Sequence, residues 1–509
     1  QYWDRQWDLL NNHVIWARGE PIVTWDLSGP GGGKSTRTYK PVLLVGGKPD
    51  APYRPGEVDI DKVFLDHHCL IWDTDRDALD VVLRRTRALV EGLRQQFGLK
   101  LDTQAPALGK LETAARSMSA DSPRRKELFL QACALQRQIA LLNPLLDFDE
   151  ILFMTGNAGI HGRWQDLGFD SGGARTPGPF ILSDWKTTSP KVRRVLPERF
   201  EINGQAVCLS GSPADQAGAP FHLNYDLSFD GKTLLFAAGR RPANIFKYEL
   251  GGTEVVQLTQ SRWDHGYDPQ NRREAPASSG YPCWLPGGRI AYCSERGAKG
   301  DRCEGRTCQL YSMKADGSDS HPLSWHETPE YHPVVDHDGM LVYSRWDYVD
   351  RSFNEAHNLW RCYPDGRDPR AAHGNYGLSL FSSGNRRYLR PWAELHARPI
   401  PGARGQYVAI AGIHHGSLPG LPVLIDLNER DDSKMAQTRL LVGHFMLHED
   451  GGALSQRNEK ALPGFRYVTP WPLSRDFHLI SDLHNLLLLD RWGNVAPLYH
   501  WPGPAYVCS

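Results

Sequence analysis

After Asp147 the chain alternates short apolar runs with turn residues at a recurring interval, the pattern of strands rather than helices. The clearest copies are Leu227 to Ala237, Trp284 to Cys293 and Val335 to Ser344, each predicting a strand, a tight turn and a second strand. Gly231, Gly288 and Gly339 sit where the turn needs positive φ, and β-branched, aliphatic or aromatic residues follow. A third strand then leads to another turn in Ile245 to Gly252, Leu310 to Gly317 and Leu359 to Gly366, and a fourth closes each unit. Two looser copies follow at Arg398 to Leu441 and Val468 to His500, and an opening one spans Phe148 to Arg199. Four-stranded units at this period stack radially, because one such sheet cannot cover both its apolar faces alone. The pattern therefore predicts a mainly β fold over 144–509, a six-bladed β-propeller with seven blades as the alternative count.

Upstream the period changes. Leu79, Val82, Leu83, Leu89, Val90 and Leu93 recur at helical spacing, as do Leu128, Leu130, Leu135, Ile139 and Leu142, with a shorter amphipathic stretch from Leu108 to Met118 between them. Residues 76–143 thus form an α-helical hairpin or three-helix insert, ended by Asn143-Pro144. Residues 1–75 alternate apolar segments, His13 to Ala17 among them, with Gly, Pro and Asp, which predicts a small β-rich N-terminal region.

The composition agrees with many short strands: 49 Gly and 36 Pro in 509 residues, with 16 Trp and 19 Tyr. A formal charge of -1 offers no basic excess for nucleic-acid phosphates, so no nucleic-acid partner is expected. The longest apolar run, Ile480 to Leu489, is too short and too polar to cross a bilayer, so no membrane span is expected. Cys283, Cys293, Cys303 and Cys308 fall in one turn-rich stretch, which suggests disulfides and hence a mature exported protein, periplasmic or extracellular. Zinc is the weaker reading of these four, since they contain no Cys-x-x-Cys pair.

In a propeller the start of each innermost strand and the end of the next emerge on one face. Aligning the turn glycines puts Asn224, Tyr281, His332 and His396 or Arg398 at the starts. Arg240, Glu295 with Arg296, Arg345 with Trp346 and Asp347, His414 with His415, and His484 fall at the ends. Three readings of this mouth stand side by side. His332, His396, His414 and His415 are candidate ligands for one divalent metal ion. Arg240, Arg296, Arg345, Asp347 and Arg398 are candidates for holding an anionic small molecule. Under the third reading all are polar groups satisfying strand ends. The connecting loops add Asp268, His326 and Glu330 as further candidates.

Two other clusters carry less. Asp66-His67-His68-Cys69 has ligand types, but on a strand consecutive side chains diverge, so strand-end polarity is the expected reading. Gly29 to Thr36 has the look of a phosphate loop, yet Ser28 stands where its first glycine belongs and a β-like run ending at Pro41 follows it. No Gly-x-Ser-x-Gly, His-Glu-x-x-His or Cys-x-x-Cys-His occurs, so serine-hydrolase, zincin and attached-haem chemistry lose their usual support.

Asn143 to Phe153, His326 to Arg351 and Ile413 to Gly416 resemble the bacterial proteins similar to the hydrazine synthase alpha subunit, which carry a TolB-like propeller. The resemblance runs from about the second helix to near the C-terminus and leaves residues 1 to about 120 uncovered. It implies an exported propeller working with other protein subunits, in some members within a redox complex with c-type haem domains. This chain departs from that pattern by having no haem-attachment motif, so no haem is expected on it and hydrazine synthesis is not implied. The expectation is an extracytoplasmic component that binds a ligand or partner at the axial mouth. The alternative is a metal-dependent lyase or hydrolase using the histidines there.

Overall fold

The computed structural model describes residues 2–18, 23–28, 34–39, 44–45, 48–49, 64–72, 74–156, 178–209, 221–239, 242–260, 277–297, 308–325, 328–346, 357–373, 393–412, 420–430, 437–442, 467–502 and 506–508. Five consecutive four-stranded antiparallel units follow the repeat. Blade 2 begins with Phe221–Leu227, blade 3 with Ser279–Trp284, blade 4 with Glu330–Val335, blade 5 with Ala393–Pro399 and blade 6 with Val468–Pro472. Those first strands are innermost, and in blades 2 to 5 each packs against the first strand of the next blade.

Blade 1 is assembled from both ends of the propeller sequence. Ile151–Gly156, Gly178–Ser183 and Lys191–Arg194 supply three strands, and Tyr506–Cys508 pairs antiparallel with Ile151–Gly156 as the fourth. The opening unit is therefore discontinuous rather than the single stretch Phe148 to Arg199. The count is six. Middle strands such as Leu421–Asp426 and Asn485–Asp490 are buried at every position, because neighbouring blades cover both faces. The turn glycines behave as local sterics require, with φ of 71° at Gly231, 81° at Gly288 and 72° at Gly339.

Among the described residues four α-helices precede the blades: α1 (Tyr2–Arg18), α2 (Ala78–Phe97), α3 (Gln104–Ser117) and α4 (Arg124–Ala140). Helix α2 starts on Asp77, whose carboxylate accepts from the Leu79 and Asp80 amides, and stops at Gly98 in the left-handed conformation. Arg125, almost wholly buried, ties α4 to that start through Asp77 and Asp80. Leu79, Leu89, Leu93, Phe129 and Ile139 form one apolar cluster with Phe153 and Leu182 of blade 1 and Phe477, Leu488 and Trp492 of blade 6. The helices thus sit over the junction where the ring closes.

Three expectations change here. His13 to Ala17 lies in α1, not in a strand. Trp3, Trp7, Leu10 and Val14 repeat at four, three and four residues and face the helical cluster, with the Trp7 ring 5.1 Å from Phe129. Among the described residues, the β structure of the N-terminal region includes the hairpins 23–28 with 34–39 and 44–45 with 48–49 and a bridge from Phe64 to Leu440. No disulfide occurs among the described residues: Cys283, Cys293 and Cys308 are buried free thiols, and Cys303 lies outside the described residues. Cys283 and Cys293 are strand residues and Cys308 adjoins a strand, so they pack as small apolar side chains, and burial pushes all three thiols well up. Finally, Asp66 to Cys69 is a capped 3-10 turn rather than a strand end.

Candidate functional site at the propeller axis

Every innermost strand of blades 2 to 6 is interrupted at the same place. Register shifts fall between Phe221 and Tyr225, Gly280 and Cys283, Tyr331 and Val334, Leu395 and Arg398, and Val468 and Trp471. At four of these bulges a non-glycine residue holds positive φ: Tyr281 at 51°, His332 at 52°, His396 at 53° and Thr469 at 42°. Such backbone costs on the order of 1–3 kcal/mol per residue and persists only where surrounding packing enforces it. Pro282, Pro333 and Pro470 follow three of the four. A proline has no N–H to leave unpaired where the ladder breaks, so it suits the residue after the bulge.

The bulges gather one side chain per blade. Asn224, Tyr281, His332, His396 and Thr469 line a single axial pocket together with Asp226 and Arg398. Its cavity is about 40 Å³. That volume holds roughly three waters, enough for a few-atom group. The His332 and His396 rings lie against each other, tilted, with centroids 3.7 Å apart and planes 34° apart, and Tyr281 meets His332 edge-on at 4.5 Å. His332 Nδ1 and His396 Nε2 are buried and make no hydrogen bond to the chain. Desolvation, reinforced by the Arg398 guanidinium, drives His396 down to about 3, and it acts with His396 and Arg398 to hold His332 well below the ordinary imidazole range. Both rings are neutral at pH 7.

Arg398 is held in place on two sides. Its Nη1 lies 3.6 Å from Asp226 Oδ1, and its guanidinium covers the Trp471 ring at 4.8 Å. Asp226 in turn accepts from the Trp284 amide at 2.8 Å, while burial raises its pKa despite Arg398. Asn224 Oδ1 accepts from the Tyr281 amide at 3.1 Å, so side chains of blade 2 fasten the bulge of blade 3.

Of the residues expected at the mouth, Asn224, Tyr281, His332, His396 and Arg398 meet in this pocket. Arg296 is directed elsewhere, donating to Ser320 Oγ at 3.1 Å and the Gln260 carbonyl at 3.0 Å. Arg345 stacks on Trp360 at 4.1 Å. Glu330 is buried as a latch between blades, accepting from Ser324 Oγ at 2.6 Å and the Leu310 amide at 3.1 Å. Arg240, Asp347, His414, His415, Asp268 and His326 lie outside the described residues. Asp226 and Thr469 were missed by sequence reasoning. The usable signals were Thr469-Pro470 beside Tyr281-Pro282 and His332-Pro333, and Asp226 two residues after Asn224 as Arg398 is after His396.

No protein-family model and no curated protein matches the chain. Solved structures similar to it include hydrazine synthase from Kuenenia stuttgartiensis, at 14% identity and a TM-score of 0.46, covering 71% of this chain and 46% of that one. The alignment thus spans less than half of the hydrazine synthase chain. TolB from Acinetobacter baumannii aligns at 9% identity and a TM-score of 0.36, over 74% of this chain and 71% of its own. A gluconolactonase from Xanthomonas campestris aligns at 13% and 0.31, over 57% and 81%.

Proposed function

We propose that this propeller is a binding protein whose axial pocket recognises a small oxyanion, a carboxylate or phosphate group carried by a small molecule or by a partner subunit. The observation that carries this reading is the pair of buried, neutral, adjoining imidazoles with an unpartnered nitrogen each, set beside the clamped guanidinium of Arg398. A buried nitrogen left without a partner costs about 1–3 kcal/mol, a cost that a ligand oxygen accepting from the imidazole N–H removes. Arg398 supplies the charge, the imidazoles supply direction, and the bulges hold them ready so that little ordering is lost on binding. The motif resemblance to hydrazine synthase alpha-like proteins supports an extracytoplasmic protein that works with other subunits.

Calorimetric titration at pH 7 with acetate, inorganic phosphate and sulfate tests the proposal. Saturable binding by at least one anion, weakened tenfold or more in Arg398→Gln and in His332→Ala, is the expected result. Heats indistinguishable from dilution for all three, or binding unchanged in both variants, would overturn it.

The second reading, a metal-dependent lyase or hydrolase, has the same two unpartnered nitrogens in its favour. Against it, the described pocket brings two imidazoles together, and ligation would draw on His414 or His415 for a third. A stoichiometric metal that co-purifies and is lost in His332→Ala or His396→Ala would favour this reading over the first.

A further inference from the structure

We infer that Asp66, His67 and His68 form a surface metal site, a carboxylate and two imidazoles that chelate one divalent transition-metal ion. The objection raised by the sequence, that neighbouring side chains diverge, assumes a strand. The structure has a 3-10 turn over His67–Cys69, capped by Asp66, and the ligand atoms of Asp66, His67 and His68 all lie within 4.8 Å of one another.

Asp66 Oδ1 is 2.8 Å from His68 Nδ1 and 3.9 Å from His67 Nδ1. Those distances bracket the ligand-to-ligand edge of about 3.4 Å that a tetrahedral ion with bonds near 2.1 Å requires, so small rotations close the set. Two stacking contacts shape it. His67 lies against Trp72 at 5.6 Å with planes 14° apart, and its ring centroid is 4.3 Å from that of His68. The carboxylate is oriented from behind, because Oδ1 accepts from the His68 amide at 2.9 Å and Oδ2 faces Arg491 Nε at 3.2 Å. Outer partners of this kind fix a ligating carboxylate. Arg84 and Arg85 donate to the His68 carbonyl from the backbone side, and Arg84 is paired with Asp75 at 2.6 Å, so Arg491 is the cation that pairs with the Asp66 carboxylate. His67 is 58% exposed on its side chain, so solvent has access to the remaining coordination positions. Imidazole with a single carboxylate suits zinc, cobalt or nickel better than calcium or magnesium.

The site is distinct from the axial pocket. Titration of chelator-treated full-length protein with Co²⁺, read by its visible absorption, and with Zn²⁺ by calorimetry, tests it. One equivalent is expected to bind, with affinity reduced 10–100-fold in His67→Ala and in His68→Ala and unaltered in His332→Ala and His396→Ala. His67 is exposed and contributes no side-chain cap to the turn, so the test rests on its variant and not on Asp66→Asn, which removes the cap. Stoichiometric binding that survives the His67→Ala, His68→Ala double variant would overturn the inference. So would no binding, or binding lost only with the axial histidines.

Discussion

His396, His13 and His478 are three imidazoles kept neutral chiefly by burial, with folded values of about 3, 3 and 4. In the unfolded chain they titrate near 6.5. The unfolded state therefore binds more protons below that pH, so their contribution is intact above about 6.5 and is lost as pH falls toward 3–4. Each loses about 1.4 kcal/mol per pH unit in that window. Asp490 runs the other way. Burial lifts its carboxyl to about 7, so it favours the fold below the unfolded value near 3.8 and loses that contribution as pH rises through 7. Three histidines outweigh one aspartate, and thermal denaturation should show a melting temperature that drops between pH 7 and 5. His478→Leu should make that drop shallower; an unchanged slope would contradict the assignment. Gly92 gives a second prediction at this scale. A Cβ on it would lie 2.0 Å from the Trp492 ring, whereas one on Gly109 in α3 meets nothing within 4 Å. Gly92→Ala should cost roughly 1–3 kcal/mol in chemical denaturation, and Gly109→Ala should gain up to about 1 kcal/mol from helix propensity.

Neighbouring blades are keyed together by outer turns. Gly366 of blade 4 has φ 82°, and a Cβ there would be 2.2 Å from the Leu323 carbonyl oxygen of blade 3; Gly317 of blade 3 repeats this against Leu258 at 2.5 Å. Inner turns are looser, as at Gly231, where positive φ is needed but the space is open. Gly366→Ala combines backbone strain with displacement of a neighbouring blade, so its melting temperature should fall well below that of Gly231→Ala, which bears strain of about 1 kcal/mol alone. Equal losses would show that the blades do not interlock there. The innermost strands carry the reverse device. Their repeated bulges break the ladder locally and turn Tyr281, His332, His396 and Thr469 toward one pocket, an arrangement regular alternation would forbid.

At the scale of the whole molecule, ring closure and the helical layer act on the same seam. Tyr506–Cys508 completes blade 1, and the helices cover blades 1 and 6 through a shared apolar cluster. Polar contacts reinforce it: Gln136 donates to Asn494, Asn494 donates to the Arg85 carbonyl, and Arg85 donates to the Gly493 carbonyl. Helices and propeller should therefore unfold in one calorimetric transition, and separate helical and β transitions would refute the shared core. Deleting residues 503–509 should expose the edge of Ile151–Gly156, lowering the melting temperature and promoting self-association seen by light scattering.

How much of this was legible depended on range along the chain. The repeat, its turn glycines and helices α2 to α4 follow from steric preferences and periodicities confined to a few residues, and these could be read directly. His332, His396 and Arg398 were legible as neighbours because the repeat itself supplies an alignment between blades. The 3.6-residue period in α1 was present but hidden by polar residues between Trp3, Trp7, Leu10 and Val14. The free state of Cys283, Cys293 and Cys308 and the strand recruited from Tyr506–Cys508 depend on partners tens to hundreds of residues away, whereas the turn that folds Asp66, His67 and His68 together is closed locally by the Asp66 cap and was hidden by the strand-like apolar residues on either side. Local sequence determined which segments become strands, turns and helices, since each choice is made by backbone sterics and the spacing of apolar side chains. Only the closed ring decided which strained side chains face one another, because that geometry exists once all the blades have packed.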